Sequence, residues 1–299
     1  MSTVTTVGTT GNDSLTAVDG QDNLLQALAG DDVLTGSLGG DTLEGGVGND
    51  TLVAGAGLNY LVGGAGDDRY VAGSGDAYFV DNGGGYQTKY GYFTNAGGSD
   101  TYVFGPNFGQ SIIDDHGYAS VSADDNDVIE FGPGIGPSDL LLFNGDKSLA
   151  EVNPFFNAYG DALIITTRDL SERLVIRNYQ EQGSHGVGAI ETIRFADGTQ
   201  WTYTDVVSRK INSGGVASLG TAQNDTLTAT HASDYLVGAG GSDTYVIGSS
   251  DTTVDSMLNT AQDRDAIVCQ WASTDTQFSR NGNDLWLGPV TASNRIKDF

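Results

Sequence analysis

Along the first third of the chain, apolar residues recur singly at a nine-residue step. They are Leu15, Leu24, Leu34, Leu43, Leu52, Leu61, Tyr70 and Phe79, each inside a short β-prone stretch such as TLV or RYV. A strand of about three residues cannot stand alone, but a stack of such strands forms a solenoid in which each repeat buries its apolar residue against its neighbours. Glycines keep the same step: Gly11, Gly20, Gly30, Gly39, Gly48, Gly57, Gly66 and Gly75, with one ten-residue interval. Two residues after each stand Asp13, Asp22, Asp32, Asp41, Asp50, Asn59, Asp68 and Ala77. Each unit therefore reads glycine, any, aspartate, any, apolar, as in GGVGNDTLV from Gly45 and GGAGDDRYV from Gly63. The glycine segment is a tight turn whose carbonyls face inward together.

If one unit is half a coil, turns two units apart lie above one another. Asp13 then stacks on Asp32, Asp32 on Asp50, and Asp50 on Asp68, while Asp22, Asp41 and Asn59 form a second column. Bare carboxylates stacked in this way repel. A divalent cation between them reverses the sign, and Ca²⁺ suits the position because it accepts six to eight carboxylate and carbonyl oxygens in a flexible geometry, whereas Mg²⁺ demands a tighter octahedron. The alternative is that these aspartates only form turns; it weighs most at the edges, where Asp13 begins the stack and Asn59 and Ala77 interrupt the carboxylates. The candidate metal ligands are Asp13, Asp22, Asp32, Asp41, Asp50, Asn59 and Asp68, with the turn residues Gly30, Gly36, Gly39, Gly45, Gly46, Gly48, Gly55, Gly57, Gly63, Gly64 and Gly66.

The register GGxGxDxUx over residues 9–80 resembles the haemolysin-type calcium-binding repeat of the RTX, or repeats-in-toxin, family. That resemblance implies a right-handed parallel β-roll with several calcium ions between successive turns. It also implies a secreted protein (toxin, bacteriocin or exoprotein) exported unfolded by a type I secretion apparatus that reads a C-terminal signal.

After residue 98 the nine-residue period stops and a second pattern begins, which occurs twice. The first copy runs from SDTYVFG at Ser99 through NDVIEFGPGIGPSDLLLF, GDALIIT and RLVIRNY to IETIRFADGTQWT; the second starts at SDTYVIG from Ser242 and reaches RIKDF. Short apolar runs separated by Gly, Asn and Asp read as antiparallel strands and hairpins. These segments resemble the haemolysin-type calcium-binding-protein-related region. Before the second copy, Asp225, Asp234 and Asp243 return nine residues apart, which reads as a short degraded roll with calcium candidates at Asp225 and Asp243. The expected architecture is all-β: a parallel roll over 1–81, an antiparallel β module over 82–210, a degenerate roll over 211–248, and a second module over 249–299. RIKDF corresponds to RLVIRNY, so the second module reads as cut short relative to the first.

Composition narrows the function. The formal charge is −26, and the first 82 residues hold twelve carboxylates against the single cation Arg69. Such a surface repels nucleic acid and anionic membranes and attracts cations. Cys269 is the only cysteine, which removes disulfide frameworks and cysteine-based metal sites. The segment MSTVTTVGTT has no basic and apolar regions of a signal peptide, and no apolar run reaches the length of a membrane span.

Two aromatic-rich insertions in the first copy, with Tyr86, Tyr90 and Tyr92 in one and Phe155, Phe156 and Tyr159 in the other, are either packing residues or a surface for carbohydrate or a cell-surface partner. HExxH, GxSxG and GxxxxGK are absent from the sequence, and His116, His185 and His231 lie far apart. The expectation is a non-catalytic calcium-binding module, with a surface adhesin as the alternative.

Overall fold

The computed structural model describes residues 3–81, 87–88, 91–92, 98–115, 126–145, 162–177, 179, 190–211, 215–248, 251–259, 262–271, 276–282, 284–288 and 294–297. The chain divides into two compact units. One comprises Met1–Leu140, Lys147–Thr167 and Glu172–Arg209, and the other Leu141–Asp146, Arg168–Ser171 and Lys210–Phe299.

In the first unit the short apolar stretches become strands that alternate between two sheets. Strands β1 (Val4–Val7), β3 (Asn23–Ala29), β5 (Asp41–Val47), β7 (Asn59–Ala65) and β9 (Ala77–Asp81) stack in parallel in one sheet. Strands β2 (Ser14–Thr16), β4 (Val33–Thr35), β6 (Thr51–Val53) and β8 (Arg69–Val71) stack in parallel in the other. Leu25, Leu43, Leu61 and Phe79 lie in register on one inner face and Leu34, Leu52 and Tyr70 on the other, all fully buried. Burying each such side chain contributes about 1.5–3 kcal/mol, so the ladder of leucines supplies the roll's apolar cohesion.

The ten-residue interval between Gly20 and Gly30 shifts the register by one. Leu25 rather than Leu24 pairs with Leu43 and is buried, and Asn23 rather than Asp22 pairs with Asp41. Because a strand alternates faces with a period of two, one added residue exchanges which side chains face inward.

Parallel stacking does not stop at residue 81. Thr101–Phe104 pairs in parallel with β8, Asp127–Phe131 with Thr101–Phe104, and Ile190–Phe195 with Asp127–Phe131. On the other sheet Gln110–Asp115 adds in parallel to β9 and Arg173–Ile176 to Gln110–Asp115. The antiparallel pairing expected throughout this region occurs, among the described residues, in Ala162–Thr167 against Arg173–Ile176, Gln200–Thr202 against Ile190–Phe195 and the short pair Gln87–Thr88 against Gly91–Tyr92. Alternating runs suggest hairpins because hairpins are the shortest way to pair such strands; here Thr101–Phe104, Gln110–Asp115, Asp127–Phe131, Arg173–Ile176 and Ile190–Phe195 instead extend an existing parallel sheet edge.

The leucine ladder gives way to aromatics in these later coils. Tyr70 stacks on Tyr102 with ring centroids 4.9 Å apart, Phe104 packs against Phe131 at 5.9 Å, Phe131 on Phe195 at 5.6 Å, and Phe195 edge-on against Trp201 at 4.7 Å. One short helix, Tyr203–Arg209, follows.

The second unit repeats the parallel arrangement on a smaller scale. Ala217–Leu219, Asp234–Val237, Thr252–Asp255 and Asn294–Lys297 form one parallel series, and Thr226–Thr228, Thr244–Ile247 and Ala266–Cys269 the other. Asp284–Gly288 and Gln277–Asn281 then add antiparallel. Among the described residues, no helix is long and apolar enough to cross a membrane.

Each unit holds a triad of tyrosine, aspartate and cation, buried throughout in the first and with a partly exposed lysine in the second. In the first, Tyr78 Oη donates to Asp114 Oδ2 at 2.6 Å and Arg177 donates to the same oxygen at 2.7 Å, from strands β9, 110–115 and the residue following 173–176. In the second, Tyr235 Oη donates to Asp255 Oδ2 at 2.6 Å and Lys297 Nζ at 2.9 Å. These two carboxylates are neutralised by the protein's own cations.

Candidate metal centre

At the turns leading into β4, β6 and β8, one carboxylate of each coil is drawn inside. Asp32, Asp50 and Asp68 are 1–2% exposed. Each uses Oδ1 to accept the backbone N–H of the aspartate one coil earlier. Asp32 Oδ1 receives the Asp13 amide at 2.6 Å, Asp50 Oδ1 the Asp32 amide at 2.8 Å, and Asp68 Oδ1 the Asp50 amide at 2.8 Å. The side-chain ladder therefore runs parallel to the backbone ladder of the sheets.

This column continues where the sequence period does not. The Asp68 amide donates to Asp100 Oδ1 at 2.7 Å, the Asp100 amide to Asp127 Oδ1 at 2.7 Å, and the Asp127 amide to Glu191 Oε2 at 2.7 Å. Sequence reading missed Asp100, Asp127 and Glu191 as rungs. The available signal was the SD preceding TYVFG, which repeats the DD preceding RYV one coil earlier. An outer column of Asn12, Asp31, Asn49, Asp67 and Ser99 runs beside the inner one, each amide from residue 31 onward bonded to the preceding side chain at 2.9–3.0 Å.

What remains at the inner column is its second oxygen. Oδ2 of Asp32, Asp50 and Asp68 is buried and receives no hydrogen bond, and the same holds for Asp243 in the second unit. A buried carboxylate oxygen without a donor or cation is costly, so this position calls for a positive ligand. The space is shaped by missing side chains: a Cβ on Gly63 would fall 2.0 Å from Asp68 Oδ2, and one on Gly45 would fall 2.3 Å from Asp50 Oδ2. Gly238 stands in the same relation to Asp243 Oδ2, also at 2.0 Å. Tyr70 Oη accepts the Gly63 amide at 2.8 Å and Tyr245 Oη the Gly238 amide at 3.0 Å, so the two turns share one construction.

Electrostatics point the same way. Burial, reinforced by the charge of Asp100, pushes the Asp68 carboxyl up to about 9. Burial also raises Asp50 to about 6, with Asp32 and Asp31 adding to it against the stabilising Asp32 amide bond. Asp243 is raised, again by burial first. Without a cation Asp68 holds a proton at neutral pH; a divalent ion is the species that lets it stay ionised.

The donor set fits Ca²⁺. Hard carboxylate oxygens stand beside glycine turns, and among the described residues no three histidine, cysteine, aspartate or glutamate side chains converge on one point. Backbone oxygens of the turns must then complete the shell, a mixture that Ca²⁺ accepts and Zn²⁺ does not favour.

Of the other residues singled out in the sequence, Gly30, Gly48 and Gly66 stack directly, a Cβ on Gly48 meeting Gly30 O at 2.0 Å and one on Gly66 meeting Gly48 O at 2.4 Å. Asp22 is exposed and outside both columns, its Oδ1 accepting the Gly40 amide at 3.1 Å, because the inserted residue places Asn23 in its rung. Asp41 and Asn59 are buried in the second column, at the opposite turns. Asp13 and Asp225 lie at the starts of their columns and are only half-buried. Tyr86, Tyr90, Phe155, Phe156 and Tyr159, the side chain of Tyr92, and His116 and His185 lie outside the described residues. His231 is exposed, and burial raises the Cys269 thiol, which leaves it a poor nucleophile.

A parallel β-roll with a column of buried, donor-poor carboxylates over glycine turns defines a metal-binding repeat protein. The repeat itself is the RTX calcium-binding nonapeptide repeat, whose family model matches residues 18–52, 44–78 and 219–245, and residues 163–205 match the haemolysin-type calcium binding protein related domain. The chain thus carries RTX calcium-binding repeats in both units, over less than half of its length. Comparison with curated proteins finds no match. Among solved structures, the extracellular lipase LipA from Serratia marcescens is similar at 14% identity and a TM-score of 0.21 over 94% of this chain and 43% of that one. This chain thus spans less than half of that structure's length, and so low a score carries no argument about activity.

Proposed function

We propose that this chain is a calcium-folded module of an exported RTX protein, non-catalytic in itself, that supports type I secretion and folds outside the cell. The observation that carries the reading is the set of buried, donorless Oδ2 atoms on Asp32, Asp50 and Asp68. Without a cation, these stacked carboxylates oppose the coil packing that the leucine ladder favours. Ca²⁺ at the turns would take Oδ2 together with turn carbonyls and convert the opposition into a crosslink between coils.

Extracellular-type sites bind Ca²⁺ at about 10⁻⁴–10⁻³ M, so cytosolic concentrations leave them empty and the chain stays unfolded until export. Ligand held only by the folded state stabilises it by about 2.7 kcal/mol per site at a hundredfold excess over Kd. The test is circular dichroism during chelation and readdition. Chelation should abolish most β signal, millimolar Ca²⁺ should restore it cooperatively, and Mg²⁺ at the same concentration should not. A calcium-free chain with its full β signal at neutral pH would refute the reading.

A further inference from the structure

The turn carboxylates divide into two kinds, according to the residue four positions earlier. Before Asp13, Asp41, Asp225 and Asp234 stand Thr9, Ser37, Thr221 and Thr230. In each case the backbone N–H of that residue donates to Oδ2, at 2.6, 2.6, 2.7 and 2.7 Å. Its hydroxyl donates to the same oxygen at 2.9, 3.1, 2.9 and 3.4 Å. Before Asp32, Asp50, Asp68 and Asp243 stand Leu28, Gly46, Gly64 and Ala239, all in the left-handed region with φ of 83°, 121°, 114° and 67°. None of these four has a hydroxyl, and the buried Oδ2 of each of their aspartates lacks a hydrogen-bond partner.

The second column carries a further device. Asn23 Nδ2 donates to Val18 O at 3.1 Å and Gln21 O at 2.8 Å, and Asn59 Nδ2 donates to Ala56 O at 3.2 Å and Gly57 O at 3.3 Å. An amide N–H₂ aimed at turn carbonyls occupies those oxygens as a cation would, and N–H groups cannot ligate a metal. From Asn23 through Asp41 to Asn59, this edge is satisfied by protein donors alone.

We propose that, of these eight turns, calcium binds at the open ones of Asp32, Asp50, Asp68 and Asp243. The turns of Asp13, Asp41, Asp225 and Asp234, and the asparagine turns between them, are closed by their own hydrogen bonds. Beyond the starting turns of Asp13 and Asp225, the roll is thus one-sided, with one edge crosslinked by metal and the other by side-chain amides and hydroxyls. A cation at Asp41 would have to displace two donors from Oδ2 and leave the part-buried Ser37 amide without that acceptor, whereas one at Asp50 displaces nothing. This assignment rests on the calcium reading above.

The test compares Asp41→Asn with Asp50→Asn in the full chain; both carboxylates are 1% exposed. Bound calcium is counted by equilibrium dialysis and atomic emission at saturating Ca²⁺, with circular dichroism reporting the fold. Asp50→Asn should lose at least one ion, and Asp41→Asn should keep the parent count, its new amide serving as those of Asn23 and Asn59 do. Equal losses in the two variants would overturn the one-sided assignment while leaving calcium binding intact. An unchanged count in Asp50→Asn would overturn the calcium reading itself. If Asp41→Asn does not fold, Asp234→Asn against Asp243→Asn poses the same question in the second unit, with the same outcomes.

Discussion

The backbone amide of Asp68 donates to Asp100 Oδ1 at 2.7 Å, across 32 residues of sequence. It joins the last turn of the nine-residue repeats to the SDTYVFG segment in the same geometry that joins Asp32 to Asp50.

Asp100→Ala removes the acceptor of the buried Asp68 amide in the inner column. A loss of about 1–3 kcal/mol of calcium-saturated stability is expected. Urea unfolding in excess Ca²⁺ checks it, with Asp22→Ala, an exposed position off the column, staying within about 0.5 kcal/mol of the parent.

Gly63→Ala places a methyl group where Asp68 Oδ2 lies, 2.0 Å from the new Cβ. The carboxylate must move, and the calcium midpoint should rise about tenfold, equivalent to about 1.4 kcal/mol. Gly105→Ala, with no heavy atom within 4 Å of its Cβ, should leave the midpoint unchanged. A calcium titration followed by circular dichroism separates the two.

Arg177→Met strands the buried charge of Asp114 beside Tyr78. Breaking one side of a buried ion pair costs about 3–5 kcal/mol, and the double replacement Arg177→Met with Asp114→Leu should recover part of that loss. Thermal unfolding at saturating Ca²⁺ checks both, and because this triad uses no metal, the number of bound ions should not change.

The pH response follows from the raised carboxyls. Asp50 near 6 and Asp68 near 9 in the fold, against 3.8 as ordinary carboxyls, make the calcium-free fold bind more protons than the unfolded chain. That contribution is fully present below about pH 4 and is lost as pH rises through about 6 and then about 9. A calcium-free chain should therefore regain β signal on acidification to about pH 5. Calcium binding at pH 7.5 should release protons, visible as a dependence of the calorimetric heat on the buffer's ionisation enthalpy.

The roll was legible because period and side chain coincide: Leu43, Leu52 and Leu61 fall nine apart and all point inward. The same regularity misleads at Gly20, where one added residue exchanges Asp22 for Asn23 and Leu24 for Leu25. Asp100, Asp127 and Glu191 were hidden for a different reason. Their rungs close over 32, 27 and 64 residues, so no periodicity marks them, and only the folded column shows that they share one role. The division between open and closed turns was written in Thr9, Ser37, Thr221 and Thr230, but a serine or threonine four residues before an aspartate has many uses. Its meaning depends on the left-handed residue that replaces it at the open turns.

Those widening spans also set an order of events. Coils from Asn23 to Val71 close over 18 residues each, while the Asp127–Glu191 rung must gather chain 64 residues apart. Short closures lose less chain entropy and form faster, so folding should nucleate among the leucine coils and grow coil by coil. The aromatic coils would then dock last onto a finished template, and their docking is the step that sets the refolding time.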